Sequence, residues 1–395
     1  MKNMMLKRLS LAFAASTALA AVPASALTIN LIDTGGVAGT QAELGFRIAA
    51  DFWGRILTNN VTVNLEVGFA NMGNPNVLGS TGSSIMETKI GTYYGALAAN
   101  QATALDAIAV ANLQPLVGGG VDVIVPGYWP DAGAGQDIDP FSTRFSTGTD
   151  VLNTDMALLT ANAKALGLYA SNDPDASITF NSIFSWDFDP TDGVGLGTYD
   201  FIGVAVHEIG HALGFVSGVD DFDYFANFND IPVDDWWWGY GLDLFRYSAN
   251  PEGYGDGGPQ LDWSIGSDAF FSIDGENPLW DAYFSTGTNY GDGWQASHWK
   301  ANNSCSNFLG IMNPYACDGE VDEVTARDLA LFDAIGWNLD FDVLSRPGMT
   351  ISSADMYKSY FGAVPEPTTW MMMIGGFAFI GASMRRRQKV SVRFA

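Results

Sequence analysis

His207 and His211 stand four residues apart with Glu208 beside the first, in the run His207-Glu208-Ile209-Gly210-His211-Ala212-Leu213-Gly214-Phe215. On a helix this spacing stacks the two imidazoles one turn above the other, so they can share one tetrahedral ion. Glu208 is displaced around the helix, placed to reach a metal-bound water without taking a coordination position. Such a set suits metal-assisted hydrolysis, with water as the nucleophile and the carboxylate as its base. The flanking residues specify the helix. Asp200 can cap it, no proline interrupts residues 201–216, and Ser217-Gly218 stops it. Ile202, Val206, Ile209, Leu213 and Val216 form one apolar stripe for the core, with His207, His211 and Gly214 on roughly the opposite face. Gly214, lacking a Cβ, leaves room for another backbone beneath the metal.

A catalytic ion of this kind takes three protein ligands and keeps one position open. The chain has 3 histidines, and the third, His298, stands beside Trp299, 87 residues past His211. Asp220 and Asp221 are the alternatives closer to the helix. The compact metzincin motif, HExxHxxGxxH, would put its third ligand at position 217, which is Ser217 here. The chain resembles instead the leishmanolysin-like metzincins, a group of zinc metallopeptidases. These keep HExxHxxGF, insert a long segment, and place the third histidine in a His-Trp pair before a Met-turn. Here the corresponding residues are Gly214-Phe215, His298-Trp299 and Ile311-Met312-Asn313-Pro314.

The resemblance covers residues 200–315. It implies a zinc ion held by His207, His211 and His298, with Met312 in the turn below and Glu208 as general base. Tyr315, just past that turn, is the expected donor to the oxyanion. What it implies overall is an exported metalloendopeptidase.

The elements that must position these groups can be read along the chain. Residues 27–33 alternate as a first strand, 41–57 form a helix with Leu44, Ile48, Phe52 and Ile56 on one side, and 61–69 alternate again. An Ala-rich helix is expected around 95–113 and a third strand over 121–125. A Gly/Asp-rich loop should fill 131–149 and a helix 150–166. Residues 177–186 read as the strand edging the cleft, where an extended substrate can pair. The insertion 219–295 is rich in Asp, Gly and aromatics such as Trp236-Trp237-Trp238 and Tyr240, and its stretch 270–293 is expected to roof the cleft. Residues 324–336 pattern as a closing helix, with Thr325 as its cap. The expected fold class is α+β, zincin-like. A twisted mixed sheet and long helices fill the N-terminal half (27–217), and an irregular C-terminal subdomain (218–362) closes with a helix.

Composition sets limits. The net charge is −26, and of 18 Lys/Arg and 44 Asp/Glu, eight bases but only one acid fall outside residues 27–362. So acidic a working part repels nucleic acid and anionic lipid. Asp187, Asp189 and Asp192 are spaced oxygens of the kind Ca²⁺ takes, but the run lacks the full loop signature, so a solvated loop is expected, with calcium as the alternative.

Lys2, Lys7 and Arg8, the apolar run 9–22 and Ala24-Ser25-Ala26 make residues 1–26 a secretory signal. At the other end, Pro365-Glu366-Pro367, an apolar run over 368–384 and Arg385-Arg386-Arg387 resemble the PEP-CTERM sorting tail of Gram-negative bacteria. That tail, 363–395, implies transient membrane anchoring and cleavage by a sorting transpeptidase, an exosortase. The destination is the cell surface or extracellular matrix. Export makes a disulfide between the 2 cysteines, Cys305 and Cys317, the expectation. A different class of function also fits the acidic, aromatic insertion and the tail: a matrix-bound structural or adhesive protein with a vestigial metal site.

Overall fold

Alternation at the start of the chain becomes sheet, and the 3.6-residue stripe that follows becomes its crossover helix. A computed structural model describes residues 27–362, apart from 133–135, 303 and 306. Leu27–Gly35 (β1), Gln41–Ile56 (α1) and Val61–Ala70 (β2) form where the pattern puts them. β1 and β2 run parallel, with Leu27 opposite Val61 and Asp33 opposite Val67. The buried face of α1 is wider than the expected stripe. Phe46, Ala49 and Trp53 join Ile48 and Phe52 inside, while Leu44 and Ile56 are only partly buried. The helix is covered on two sides: its Gly45 lies so close to Phe201 that a Cβ there would sit 2.2 Å from the ring.

Next come Gly79–Ser83 (β3), Ile85–Lys89 (β4), Ile90–Asn100 (α2) and Ala104–Ala111 (α3). The single Ala-rich helix expected around 95–113 is thus two. Thr103 breaks it, because its hydroxyl and the Asp106 carboxylate cap α3 reciprocally.

Val123–Tyr128 (β5) pairs antiparallel with Ile138–Ser146 (β6), outside the sheet of β1 and β2. Half of the expected 131–149 loop is therefore strand, since the turn-forming residues are concentrated before Ile138. The helix expected over 150–166 is also corrected. It is a helical turn, Val151–Thr154 (α4), a strand, Asp155–Leu159 (β7), and a short helix, Thr160–Ala165 (α5). Met156, Ala157 and Leu158 are buried on both faces and β7 pairs with β4. A short run that is apolar on every side suits a doubly covered strand as well as a helix.

Ala176–Asn181 (β8) lies between β2, parallel to it, and β3, antiparallel to it, giving the order β1-β2-β8-β3. The cleft edge is therefore β3. The segment expected there, 177–186, is internal where it is strand.

The helix Phe201–Leu213 (α6) packs across α1 and under β3. Beyond it, a short helix Val219–Phe225 (α7) opens a region of turns and two- or three-residue strands. Ala326–Ala334 (α8) forms as expected, capped by Thr325 and Asp328. It does not close the chain: Thr350–Ser352 pairs back onto Glu323–Thr325, and Ser353–Gly362 (α9) follows and packs on α1. The fold is α+β, a mixed sheet in the N-terminal half joined to an irregular C-terminal part. No helix among the described residues is long and apolar enough to cross a membrane. The expected signal (1–26) and apolar tail (368–384) lie outside the described residues.

Candidate metal centre

α6 begins at Asp200, whose side chain accepts from Gly203 N at 3.0 Å, and ends at Gly214 with φ +131°. It stops three residues earlier than the apolar stripe suggested, and Val216 is only partly buried. A Cβ on Gly214 would come 2.8 Å from Ile335 Cδ1. This glycine therefore ends the helix against the C-terminus of α8 and does not make room beneath a metal. Two buried tryptophans hold the helix in place: Trp53 Nε1 donates to Val206 O (3.1 Å) and Trp337 Nε1 to Leu213 O (2.7 Å).

His207, His211 and His298 come together. His211 Nε2 lies 3.0 Å from His207 Nε2 and 3.1 Å from His298 Nε2. Each Nδ1 faces a backbone carbonyl: Ile311 O at 2.7 Å, Phe215 O at 2.7 Å and Gln295 O at 3.3 Å, respectively. A carbonyl only accepts, so each Nδ1 carries the ring hydrogen and each Nε2 presents a lone pair. Lone pairs facing one another at such distances repel unless a cation lies between them. A tetrahedral ion with bonds of ~2.0–2.1 Å holds its nitrogens roughly 3.3 Å apart, so the donor set fits one. Burial pushes the pKa of His207 down to about 4 and that of His211, with His207 adding to the effect, to about 3. His298 is pushed well down by burial as well. All three rings are therefore neutral at neutral pH, the form in which they could hold a metal. Among the described residues, no other group of three or more acidic, histidine or cysteine side chains is arranged to hold a metal ion.

Asp220 and Asp221, the alternative third ligands, are engaged elsewhere. Asp220 accepts from Ala296 N (2.6 Å), Ser297 N (3.0 Å) and the Ser297 hydroxyl, which makes it the support of the segment bearing His298. Asp221 accepts from Tyr240 OH at 3.1 Å. Both were candidates because carboxylates just past the helix look like ligands in sequence. Ser217 joins the same support through Ser297 and through Asp243, whose buried carboxylate takes the Ser217 hydroxyl at 2.6 Å. Trp299 is fully buried, stacked on Phe284 and edge-on to Phe215. The stretch expected to roof the cleft thus packs below, around Trp299, and none of residues 270–293 lines the cleft.

Met312 sits beneath the helix, and its Sδ is where a Cβ on Gly210 would go, 2.6 Å away. Its carbonyl accepts from Trp299 N at 2.9 Å, while the neighbouring Ile311 carbonyl holds His207. Sequence reasoning missed what ties these together. Buried Asp328 accepts from Ile311 N, Met312 N, Thr325 N and Trp299 Nε1. Its signal was present in Thr325-x-x-Asp328, the capping pair of α8. Cys305 and Cys317 form the expected disulfide, with Cα atoms 5.9 Å apart. Tyr315 is on the cleft wall against Trp294 and Phe308. In the acidic loop, Asp187 takes Asp189 N and Gly195 N, and Asp189 takes Thr191 N, so these carboxylates serve their own turn.

Glu208 lies under β3. Thr81 Oγ1 donates to Glu208 Oε2 at 2.6 Å, and a Cβ on Gly79 would come 2.8 Å from Oε1. Burial raises the Glu208 pKa to about 7, with the Thr81 hydrogen bond opposing it. The histidines, Glu208 and the outer side of β3 share one cleft of about 790 Å³ with Tyr315 and Asp322.

Residues 363–387 match the family model of the PEP-CTERM protein-sorting motif. The motif marks the chain for an exosortase-type sorting system and for export toward the surface of a Gram-negative cell. No curated protein and no solved structure matches the chain.

Proposed function

We propose that the chain is an exported, zinc-dependent endopeptidase, metzincin-like in its arrangement. The observation that carries this reading is the convergence of three lone-pair nitrogens, those of His207, His211 and His298, beside a carboxylate held near neutral pKa. Zinc bound there would supply a Lewis acid that lowers the pKa of water toward neutrality and polarises a carbonyl. The chain's own groups do the rest. Thr81 holds Oε2 of Glu208, so Oε1 takes the proton of the attacking water and returns it to the departing amine. The free edge of β3 offers backbone hydrogen bonds to an extended peptide and aligns its scissile carbonyl with Glu208. Tyr315 lines the same cleft and would donate to the developing oxyanion by giving up its 3.4 Å contact with Asn302 Oδ1.

The second reading, a surface structural or adhesive protein, draws on aromatic rings that catalysis leaves unused. Trp129 is 43% exposed and Phe141 72% exposed. Metal analysis with a casein assay separates the two. The peptidase reading expects one zinc per chain and chelator-sensitive cleavage. Glu208→Ala should keep the zinc and lose about 10²- to 10⁴-fold in rate. His298→Ala should lose the zinc. Cleavage that survives Glu208→Ala, or a full metal complement in His298→Ala, would overturn it.

A further inference from the structure

Asp322 is 8% exposed, lines the cleft, and donates its backbone N–H to Asp200 Oδ2 at 3.1 Å. Its carboxylate has no hydrogen-bond partner among the described residues, and none of the ion pairs among them includes it. That sets it apart from the other buried acids near the site. Asp220, Asp243 and Asp328 each accept several donors, and both oxygens of Asp200 are already engaged by Gly203 N, Asp322 N and Ser353 Oγ. With no protein donor on it and its place in the cleft lining, the Asp322 carboxylate is open to a group arriving in the cleft.

Its position says what binds. The Asp322 side chain lies against α6 at Gly203, where a Cβ would touch its Oδ2, so the carboxylate is roughly 6 Å of helix from His207. The cleft that Asp322 lines is also walled by Phe184, Tyr199, Val204 and Ile311. This arm of the cleft, apolar lining beside the Asp322 carboxylate, matches a side chain with an aliphatic stem and a cationic head. We propose that this arm selects lysine or arginine next to the cleaved bond, with Asp322 as the specificity-determining residue. The proposal rests on the peptidase reading and names its substrate class. Glu320 and Glu323, beside Asp322 in the chain and both exposed, add negative field at the entrance and steer cationic segments toward it. Burial and the neighbouring Asp200 push the Asp322 carboxyl well up, and an incoming ammonium or guanidinium would favour its ionised form.

The test is cleavage of a pool of synthetic peptides that differ at one position, read by mass spectrometry, with casein as a general substrate. Wild-type protein should cut beside lysine or arginine, on one side of the bond, about 30-fold or more faster than beside leucine or glutamate. Asp322→Asn should remove that preference and keep cleavage of the leucine peptide, and Asp322→Ser should do the same if the amide disturbs folding. Casein cleavage without a basic preference, or a preference that both variants retain, would overturn the inference while leaving the peptidase reading intact. No cleavage of casein or peptides by zinc-loaded wild type would sink both.

Discussion

Ser217 donates its backbone N–H to Ser297 Oγ at 2.9 Å, across 80 residues of chain. Position 217 is where a compact metzincin motif would carry its third histidine. Here it anchors the segment that delivers the histidine from elsewhere. Ser297 passes its own hydroxyl hydrogen to Asp220, which also holds the backbone of Ala296 and Ser297. His298 is thus fixed by groups placed just after the helix, and the long insertion between them need not be rigid to keep the three histidines together.

Asp220→Ala should therefore weaken metal binding although no ligand is lost. Removal of groups that orient ligands typically costs about 10- to 100-fold in affinity. Competition against a chromophoric chelator measures it. Asp221→Ala, which removes only an acceptor for Tyr240, should bind metal as the wild type does. Equal affinity in the two variants would mean that Asp220 does not position His298.

Gly79→Ala tests the closeness of β3 to Glu208, the proposed general base. The added methyl would lie 2.8 Å from Glu208 Oε1 and 3.1 Å from its Cγ, and Glu208 is buried, so the carboxylate must turn. A misplacement of about 1 Å is worth up to 10²-fold in rate. Peptide hydrolysis should fall about 10- to 100-fold while zinc content and thermal stability stay close to wild type. Unchanged activity would show that Glu208 tolerates the shift and that β3 does not set its position.

How far the sequence foretold these arrangements depended on how local the physics was. His207, Glu208 and His211 were legible because the helical repeat alone places them. His298 was legible through scarcity and through its Trp299 neighbour, but nothing local shows that Gln295 O orients its ring. The sequence leaves Asp220 open as an alternative ligand because its hydrogen-bond partners lie 76 and 77 residues away. β3, Gly79-Ser80-Thr81-Gly82-Ser83, has no apolar alternation and is held as a strand by its backbone pairing with β8. The strand β7 hid inside an expected helix because burial on both faces erases the period-two signal. Signals that depend on a partner far along the chain were the ones lost.

The Cys305–Cys317 disulfide encloses Met312, yet Asp328 and Trp299 hold that turn independently. The double variant Cys305→Ser, Cys317→Ser should therefore lose about 3 kcal/mol in denaturant unfolding, the loop-closure contribution for a ring of this size. Its zinc affinity should change little. A large loss of zinc with little loss of stability would reverse these roles, making the cross-link part of the site's support.

Asp333 gives a pH signature apart from the metal centre. It sits in the last turn of α8, where a negative charge opposes the helix dipole, and it accepts from Thr103 Oγ1 at 2.7 Å. Burial, with Asp106 and then Asp342 adding negative charge, raises its pKa to about 8. In the unfolded chain the group titrates near the ordinary aspartate value of 3.8. Between these values the folded protein holds a proton that the unfolded chain has released. The stability it contributes is full below about pH 4 and is lost as pH rises through about 8, with a slope of up to ~1.4 kcal/mol per unit. Asp333→Asn keeps an acceptor for Thr103 and removes the titration. Urea unfolding of both proteins from pH 4.5 to 8.5 should therefore show the wild type losing stability relative to the variant as pH rises. Parallel curves would mean that Asp333 is ionised in the folded protein throughout, balanced by a cation or water drawn into the contact between α3 and α8.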